Sequence, residues 1–97
     1  MLTSKQRAHL RGIASKTETI FHIGKNGVTP EITETIDEAL TARELIKISV
    51  LENCPNEVAE AAEIISGRTR AEVVQVIGRK VVLYRKSKKN PKIELPS

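Results

Sequence analysis

The fold is decided by residues 19–31, Thr19-Ile20-Phe21-His22-Ile23-Gly24-Lys25-Asn26-Gly27-Val28-Thr29-Pro30-Glu31. The apolar run up to Ile23 is rich in strand-forming residues and predicts a strand. Thr29 can cap a helix, and Pro30 suits the first helical position, where a missing N–H costs nothing. The stretch therefore predicts a strand and a helix joined by a short loop that contains two glycines.

The loop Gly24-Lys25-Asn26-Gly27 has the composition of an anion-binding turn. Glycine permits positive φ and close approach of a ligand to the backbone, and asparagine tolerates the left-handed conformation. The loop amides, the positive end of the helix that begins at Thr29 and the charge of Lys25 together form a seat for phosphate. A single G-x-x-G is a weak signal, because many strand-to-helix turns use glycine for geometry alone.

The elements on either side of this stretch follow from periodicity and capping signals. Thr3 followed by Gln6 is a capping box, and Gly78-Arg79 is a two-residue hairpin turn with glycine first. The predicted elements are a helix over 3–15, a strand over 19–23, a helix from Thr29 to about Arg43, a strand over 45–51, a helix from Pro55 to a left-handed cap at Gly67, and strands over 73–77 and 80–85.

The order α-β-α-β-α-β-β predicts an α+β fold, an α/β sandwich. Because the helices have one apolar face and the strands have a half-polar face, we expect a four-stranded mixed sheet with helices packed on one side. Residues 1–85 form one predicted domain. Residues 86–97 are predicted to be a basic, flexible C-terminal tail, because they have little apolar surface to bury.

The composition indicates a soluble, cytoplasmic protein with no membrane partner. The 97 residues include one cysteine, Cys54, which cannot form an internal disulfide and fits a reducing compartment. The N-terminal residues lack the apolar run of a signal peptide, and no apolar stretch is as long as a membrane span.

The net charge of +4 is unevenly distributed. Residues 1–29 carry five basic groups and one acid, residues 30–72 carry four basic groups and ten acids, and residues 73–97 carry seven basic groups and one acid. Such segregation predicts one face that attracts polyanions and one that repels them. The acids can also simply solvate helices and complement their dipoles, and the two interpretations are compatible.

No catalytic set can be assembled from the sequence. His9 and His22 have no carboxylate or nucleophile at a spacing that suggests a partner. The glycine loop is not a Walker motif, because it lacks the longer glycine spacing and the terminal Gly-Lys-Ser/Thr. We therefore predict a protein that is not an enzyme and has no cofactor, no metal and no small-molecule substrate.

Binding of RNA is better supported, and the aromatic content narrows its mode. With only Phe21 and Tyr84, which we expect in the core, the sheet cannot offer the paired aromatic platform of an RRM. Contacts to the RNA backbone are favoured instead, as in the KH module, whose G-x-x-G loop clamps the sugar-phosphate chain.

Several ordered motifs resemble the CRM domain (chloroplast RNA splicing and ribosome maturation). They are Ile23-Gly24-Lys25-Asn26-Gly27-Val28-Thr29, Ala39-Leu40 with Glu44-Leu45-Ile46-Lys47, Val74-Gln75-Val76-Ile77-Gly78, and Val82-Leu83-Tyr84-Arg85. The similarity extends from the first helix to Arg85, and the small size is similar to the stand-alone bacterial YhbY-type proteins.

The resemblance implies a fold similar to the C-terminal domain of initiation factor three and, for the bacterial forms, association with precursors of the large (50S) ribosomal subunit. We therefore expect ribosomal RNA as the partner, with ribosome-assembly proteins as further partners. The predicted RNA-binding residues are Gly24, Lys25, Asn26, Gly27, Thr29, Arg7, Arg11, Lys47, Arg79, Lys80 and Arg85. The alternatives are a protein-protein adaptor acting through the acidic second and third helices, and an RNA hydrolase, against which the missing acid-base set argues.

Overall fold

The computed structural model of the protein describes residues 2–89 and 91–97. Its elements follow the predicted order: α1 (Ser4–Ala14), β1 (Thr19–Ile23), α2 (Pro30–Arg43), β2 (Leu45–Val50), α3 (Val58–Thr69), β3 (Glu72–Ile77) and β4 (Lys80–Tyr84). The α+β class is confirmed.

The strands form one mixed four-stranded sheet in the order β1-β2-β4-β3. β1 runs parallel to β2, whereas β4 is antiparallel to both of its neighbours, β2 and β3. β2 and β4 pair regularly in the centre, but both edge strands have a register shift, between Thr19 and Phe21 in β1 and between Val73 and Gln75 in β3. The mixed sheet predicted from the sequence is confirmed.

This topology gives the sheet two different ends. β1 and β2 both finish at one end, where the β3–β4 hairpin also turns at Gly78. We call it the loop end. At the opposite end, which we call the tail end, α2 and α3 finish and β4 leads into the C-terminal segment. The strand-to-helix loops that precede α2 and α3 therefore lie at the loop end.

The main core lies between the sheet and the two crossover helices. Ile36 and Leu40 of α2 and Ile65 of α3 are fully buried against Ile48 of β2 and Leu83 of β4. The predicted packing of helices on one side of the sheet is confirmed by α2 and α3. Burial of such side chains contributes about 1.5–3 kcal/mol each, so this layer is the main source of stability.

A second apolar cluster holds α1 against the sheet. Leu10 and Ala14 of α1 pack with Leu45, Val82 and Tyr84. Because successive side chains of a strand point to opposite faces, Val82 and Tyr84 face away from the layer that contains Leu83. α1 therefore covers part of the face opposite α2 and α3, toward the tail end of the sheet.

The capping signals at the first two helices are confirmed. Thr3 accepts a hydrogen bond from the Gln6 amide while the Gln6 side chain accepts one from the Thr3 amide, each at 3.1 Å. Thr29 caps α2 by accepting from the Ile32 amide at 3.1 Å, with Pro30 at the first position. Loss of such a cap typically costs about 1 kcal/mol.

The predicted limits of the third helix are wrong at both ends. α3 begins at Val58 rather than Pro55, because Pro55 belongs to a loop that packs against Gly27. The helix also passes through Gly67, and the left-handed cap is Arg70, at φ 60. At the hairpin, by contrast, the expected glycine turn is present, with Gly78 at φ +57.

The C-terminal segment lies along the tail end of the molecule. The fully buried carboxylate of Glu44 accepts hydrogen bonds from the amides of Ser87 (2.8 Å), Lys92 (2.6 Å) and Ile93 (2.7 Å). Ile93 and Leu95 pack against the α1 cluster, and the Gln6 side chain donates to the Pro96 carbonyl at 3.0 Å. The predicted flexibility of this segment stays a prediction, to be measured against these contacts.

Candidate nucleic-acid interface

The glycine loop is a tight turn whose tip points into solvent. The Gly27 amide donates to the Gly24 carbonyl at 2.9 Å and closes the turn, while Lys25 and Asn26 at its tip are exposed. A surface cavity of about 340 Å³ is lined by this loop together with His22, Thr29 and Ile32. The loop is therefore accessible to a ligand.

The structure requires glycine at one of the two glycine positions of the loop and not at the other. Gly27 has φ +68, and a Cβ there would lie 2.9 Å from Asn56 Oδ1 and 3.1 Å from Pro55 Cγ. A Cβ on Gly24 would make only ordinary contacts, 3.6 Å or more from Asn53 and Leu51. Gly27 therefore has a structural role, whereas Gly24 lies where a ligand could approach.

The start of α2 offers fewer amides to a ligand than the sequence suggests. Pro30 has no N–H, and the Ile32 amide is already bound by Thr29 Oγ1. The Thr33 amide donates to the Thr29 carbonyl, and the carboxylate of Glu31 in the first turn opposes an anion there. Attraction of phosphate at this end of the sheet therefore depends mainly on lysine and arginine side chains.

Two of those side chains come from the hairpin turn. Arg79 is exposed; its backbone carbonyl accepts from the Val50 amide at 2.8 Å, and its Nη1 donates to the Val50 carbonyl at 3.3 Å. Lys80 is exposed and donates to Thr19 Oγ1 at 3.2 Å. The structure thus brings Arg79 and Lys80 to the loop end, where the glycine loop also lies.

The sheet face opposite α2 and α3 extends this surface. Across the central strands, Lys80 pairs with Ser49, and Ser49 pairs with His22 on β1. Lys47, which is half-buried, is two residues further along the same face. Because α1 covers only the tail end of this face, a strip of polar and basic side chains stays uncovered beside the glycine loop.

Two predicted RNA-binding residues, Arg7 and Arg85, lie away from the loop end, and a third, Arg11, lies on α1. Arg7 projects from α1 to β3, where Nη1 donates to the Val73 and Val74 carbonyls. Arg11 is exposed in the last turn of α1. Arg85, at the tail end, donates to Asp37, Thr69 and Thr41 and is only 21% exposed. Arg7 and Arg85 therefore have structural partners, and neither joins the glycine loop.

The loop before α3 is a part of the candidate interface that the sequence did not reveal. Asn53 lies beside Gly24, and Pro55 and Asn56 lie beside Gly27. Asn56 is itself held by a 2.7 Å hydrogen bond to Glu60. No motif marks these contacts, but the alternation of strands and helices places both strand-to-helix loops at one sheet end, which was the available signal.

Glu44 is a second residue whose importance the sequence did not show. Burial by itself would raise the pKa of its carboxyl group, but the three amide donors and the nearby charge of Lys86 outweigh burial. The pKa of Glu44 is therefore lowered, and the group stays ionised in the folded protein. Burial, with a contribution from the Glu44 charge, raises the pKa of Tyr84.

Neither a metal site nor a membrane-spanning helix is present among residues 2–89 and 91–97. Within that part of the chain, no group of three or more His, Cys, Asp or Glu side chains is placed to hold a metal ion. None of the three helices is both long and apolar enough to cross a bilayer, as far as the described residues extend.

Comparison with known proteins identifies the family. The sequence model of the CRS1/YhbY (CRM) domain matches residues 2–85. The chain belongs to this family.

Its relatives include proteins named for RNA binding. The Bacillus subtilis protein named "Probable RNA-binding protein YqeI" is 48% identical over 96 residues, which are 99% of this chain and 100% of that protein. An "RNA-binding protein" of Haemophilus influenzae is 36% identical over 95 residues, 98% of this chain and 95% of its own. The solution structure of the hypothetical protein SAV1595 from Staphylococcus aureus is similar with a TM-score of 0.82 and 49% identity, covering 99% of this chain and 100% of that one.

Proposed function

We propose that this protein is a non-catalytic RNA-binding protein of the cytoplasm that assists assembly of the large ribosomal subunit by holding ribosomal RNA. The observation that carries the proposal is the joint position of the exposed Lys25–Asn26 tip and the basic hairpin turn at one end of the sheet. The names of the relatives support RNA as the ligand. Membership of the CRM family motivates ribosomal RNA as the target and subunit assembly as the role.

The roles of the residues follow from the geometry. Lys25 provides the charge at the loop tip and pairs with a phosphate oxygen, while Asn26 donates to the sugar-phosphate backbone. Gly24 lets that backbone come close. Arg79 has donors beyond the one that contacts Val50, and with Lys80 it receives the next phosphates. Most of these contacts involve phosphate, so the affinity for RNA should fall steeply as the salt concentration rises.

Equilibrium binding over a salt series tests the RNA part of the proposal. The probe is a fluorescently labelled single-stranded RNA, poly(U), titrated with the full chain. Removal of one phosphate contact lowers the slope of log K against log salt by roughly 0.7. We therefore expect Lys25→Gln to weaken binding and reduce the slope by about that amount, without a change in thermal stability, because Lys25 is exposed.

The matched control is Lys16→Gln, which removes an exposed lysine that lies outside the glycine loop and the hairpin turn. Equal effects of the two variants would mean that only net charge matters, and the glycine loop would then have no special role. Absence of salt-dependent RNA binding by the wild-type chain would refute the RNA function as a whole.

Crosslinking in cells tests the ribosomal part. RNA covalently attached to the protein is sequenced, and enrichment of precursor large-subunit RNA over mature ribosomal RNA supports the proposal. A spread over messenger or transfer RNA would replace the ribosomal target with another.

The adaptor alternative has its own structural support. Glu31, Glu34 and Glu38 are exposed on α2, and Glu60 and Glu63 are exposed on α3. An adaptor would retain its partners in cell extract after Lys25→Gln and lose them after reversal of these acids. RNA-dependent recovery of partners, abolished by ribonuclease, would contradict the adaptor.

A further inference from the structure

A second basic surface lies at the tail end, away from the glycine loop. A surface cavity of about 450 Å³ there is lined by Arg70, Arg85, Lys86, Lys88 and Lys89, together with Thr41 and Ser87. Five of its seven lining residues are basic and none is acidic. We call this site the tail cradle.

Only some of the positive charges of the tail cradle are close to an acidic side chain. Arg85 is paired with the Asp37 carboxylate, and the charge of Lys86 acts on buried Glu44. Arg70, Lys88 and Lys89 are exposed side chains around the same cavity. The cradle therefore presents at least three positive charges that a row of phosphates could neutralise.

The backbone around Lys88 and Lys89 is anchored on both sides. Glu44 accepts from the Ser87 amide before these lysines and from the Lys92 and Ile93 amides after them. Arg70 sits in the left-handed cap of α3, and its amide donates to the Ser66 carbonyl. A segment that is anchored on both sides loses less conformational entropy on binding than a free basic tail.

We propose that the tail cradle is a second site for the RNA backbone, separate from the glycine loop. This inference rests on the proposed function, since it takes the same ligand. The two sites lie at opposite ends of β2, whose six residues span roughly 17 Å. The protein thus holds RNA at both ends of its sheet and engages either one long strand or two segments at once.

Replacement of the two lysines at the turn tests the proposal. Binding of labelled poly(U) by Lys88→Ala/Lys89→Ala is measured over a salt series, beside Lys25→Gln and the combined variant. We expect the cradle variant to lower the salt slope by about 1.4, two contacts at about 0.7 each. The combined variant should lose affinity by the product of the separate fold losses, because distant sites act independently.

Two controls separate a defined site from general attraction. Lys5→Ala/Lys16→Ala removes the same number of exposed lysines from α1 and the turn after it, and should reduce the slope less. Glu44→Gln raises the net charge by one, so simple attraction predicts tighter binding. If the hydrogen bonds of Glu44 position the cradle, Glu44→Gln should instead weaken RNA binding. The binding is measured well below the melting temperature of the variant.

The outcomes distinguish this inference from the proposed function. If Lys25→Gln weakens binding while Lys88→Ala/Lys89→Ala binds as wild type does, the cradle is refuted and the glycine-loop function stands. Equal losses in the cradle variant and the Lys5/Lys16 control also refute the cradle. If wild-type protein shows no salt-dependent binding of poly(U), both proposals fail.

Discussion

Replacement of Glu44 by glutamine isolates the charge that anchors the C-terminal segment. The substitution keeps the size of the side chain, but only one of its two terminal atoms can still accept. In the folded protein one carboxylate oxygen accepts from Lys92 and Ile93 and the other from Ser87. Glu44→Gln therefore places an amide donor against at least one backbone N–H.

The cost follows from these three contacts. A hydrogen bond to a charged group contributes about 1.5–3 kcal/mol, and neutral ones are roughly half as strong. One bond is lost and two are weakened, which costs about 3–6 kcal/mol in total, and relief from burying a charge offsets part of this loss. We expect a net destabilisation of about 2–3 kcal/mol, or a fall of about 10–20 °C in Tm for a domain of this size.

Two measurements check this expectation. Thermal unfolding gives the global effect, and amide hydrogen exchange at Ser87, Lys92 and Ile93 reports whether the segment detaches before the rest. The matched control is Glu94→Gln, which neutralises an exposed carboxylate of the same segment and should change neither readout. The reasoning is refuted if Glu44→Gln matches Glu94→Gln in both Tm and exchange.

The difference in stability between the wild-type protein and Glu44→Gln should depend on pH. Because the pKa of Glu44 is lowered in the folded state, its contribution is complete above the usual glutamate pKa of about 4.3. It is lost as the pH falls through the lowered pKa, since the unfolded chain then binds the proton more readily. The stability difference between wild type and Glu44→Gln should shrink on acidification, and a difference that grows would contradict the assignment.

Two further predictions concern residues that sequence alone grouped with the RNA site. Gly27→Ala should destabilise the protein by about 1–3 kcal/mol, from the left-handed φ and the 2.9 Å approach to Asn56, whereas Gly24→Ala should stay within about 0.5 kcal/mol of wild type. Equal urea midpoints for the two variants would disprove this distinction. Arg85→Lys should cost about 2–3 kcal/mol, since lysine cannot replace the fork that joins Asp37, Thr41 and Thr69. A variant whose urea midpoint equals that of the wild type would contradict this structural role of Arg85.

Local signals were sufficient for much of the fold. The capping box at Thr3, the Thr29-Pro30 helix start and the Gly78-Arg79 turn all act within a few residues, so the sequence displays them directly. The start of α3 was misplaced because Pro55 packs against Gly27, and that contact depends on how two loops meet.

The candidate site was harder to predict for the same reason. Arg7 and Arg85 look like ordinary surface cations in the sequence, but each donates to partners that are between 16 and 67 residues away. Glu44 was one of ten acids in its region, and its three donors lie more than 40 residues along the chain. Side-chain contacts between residues so far apart in the sequence depend on the assembled fold.

The irregular pairing of the two outer strands has a consequence for self-association. β1 and β3 expose backbone groups that another chain could extend into a continuous ribbon. Each is interrupted by a register shift, and the Arg7 guanidinium also occupies the Val73 and Val74 carbonyls beside the interruption in β3. A distorted border is a poor template for strand addition, so we expect the protein to resist fibril growth even when many copies crowd along one polyanion.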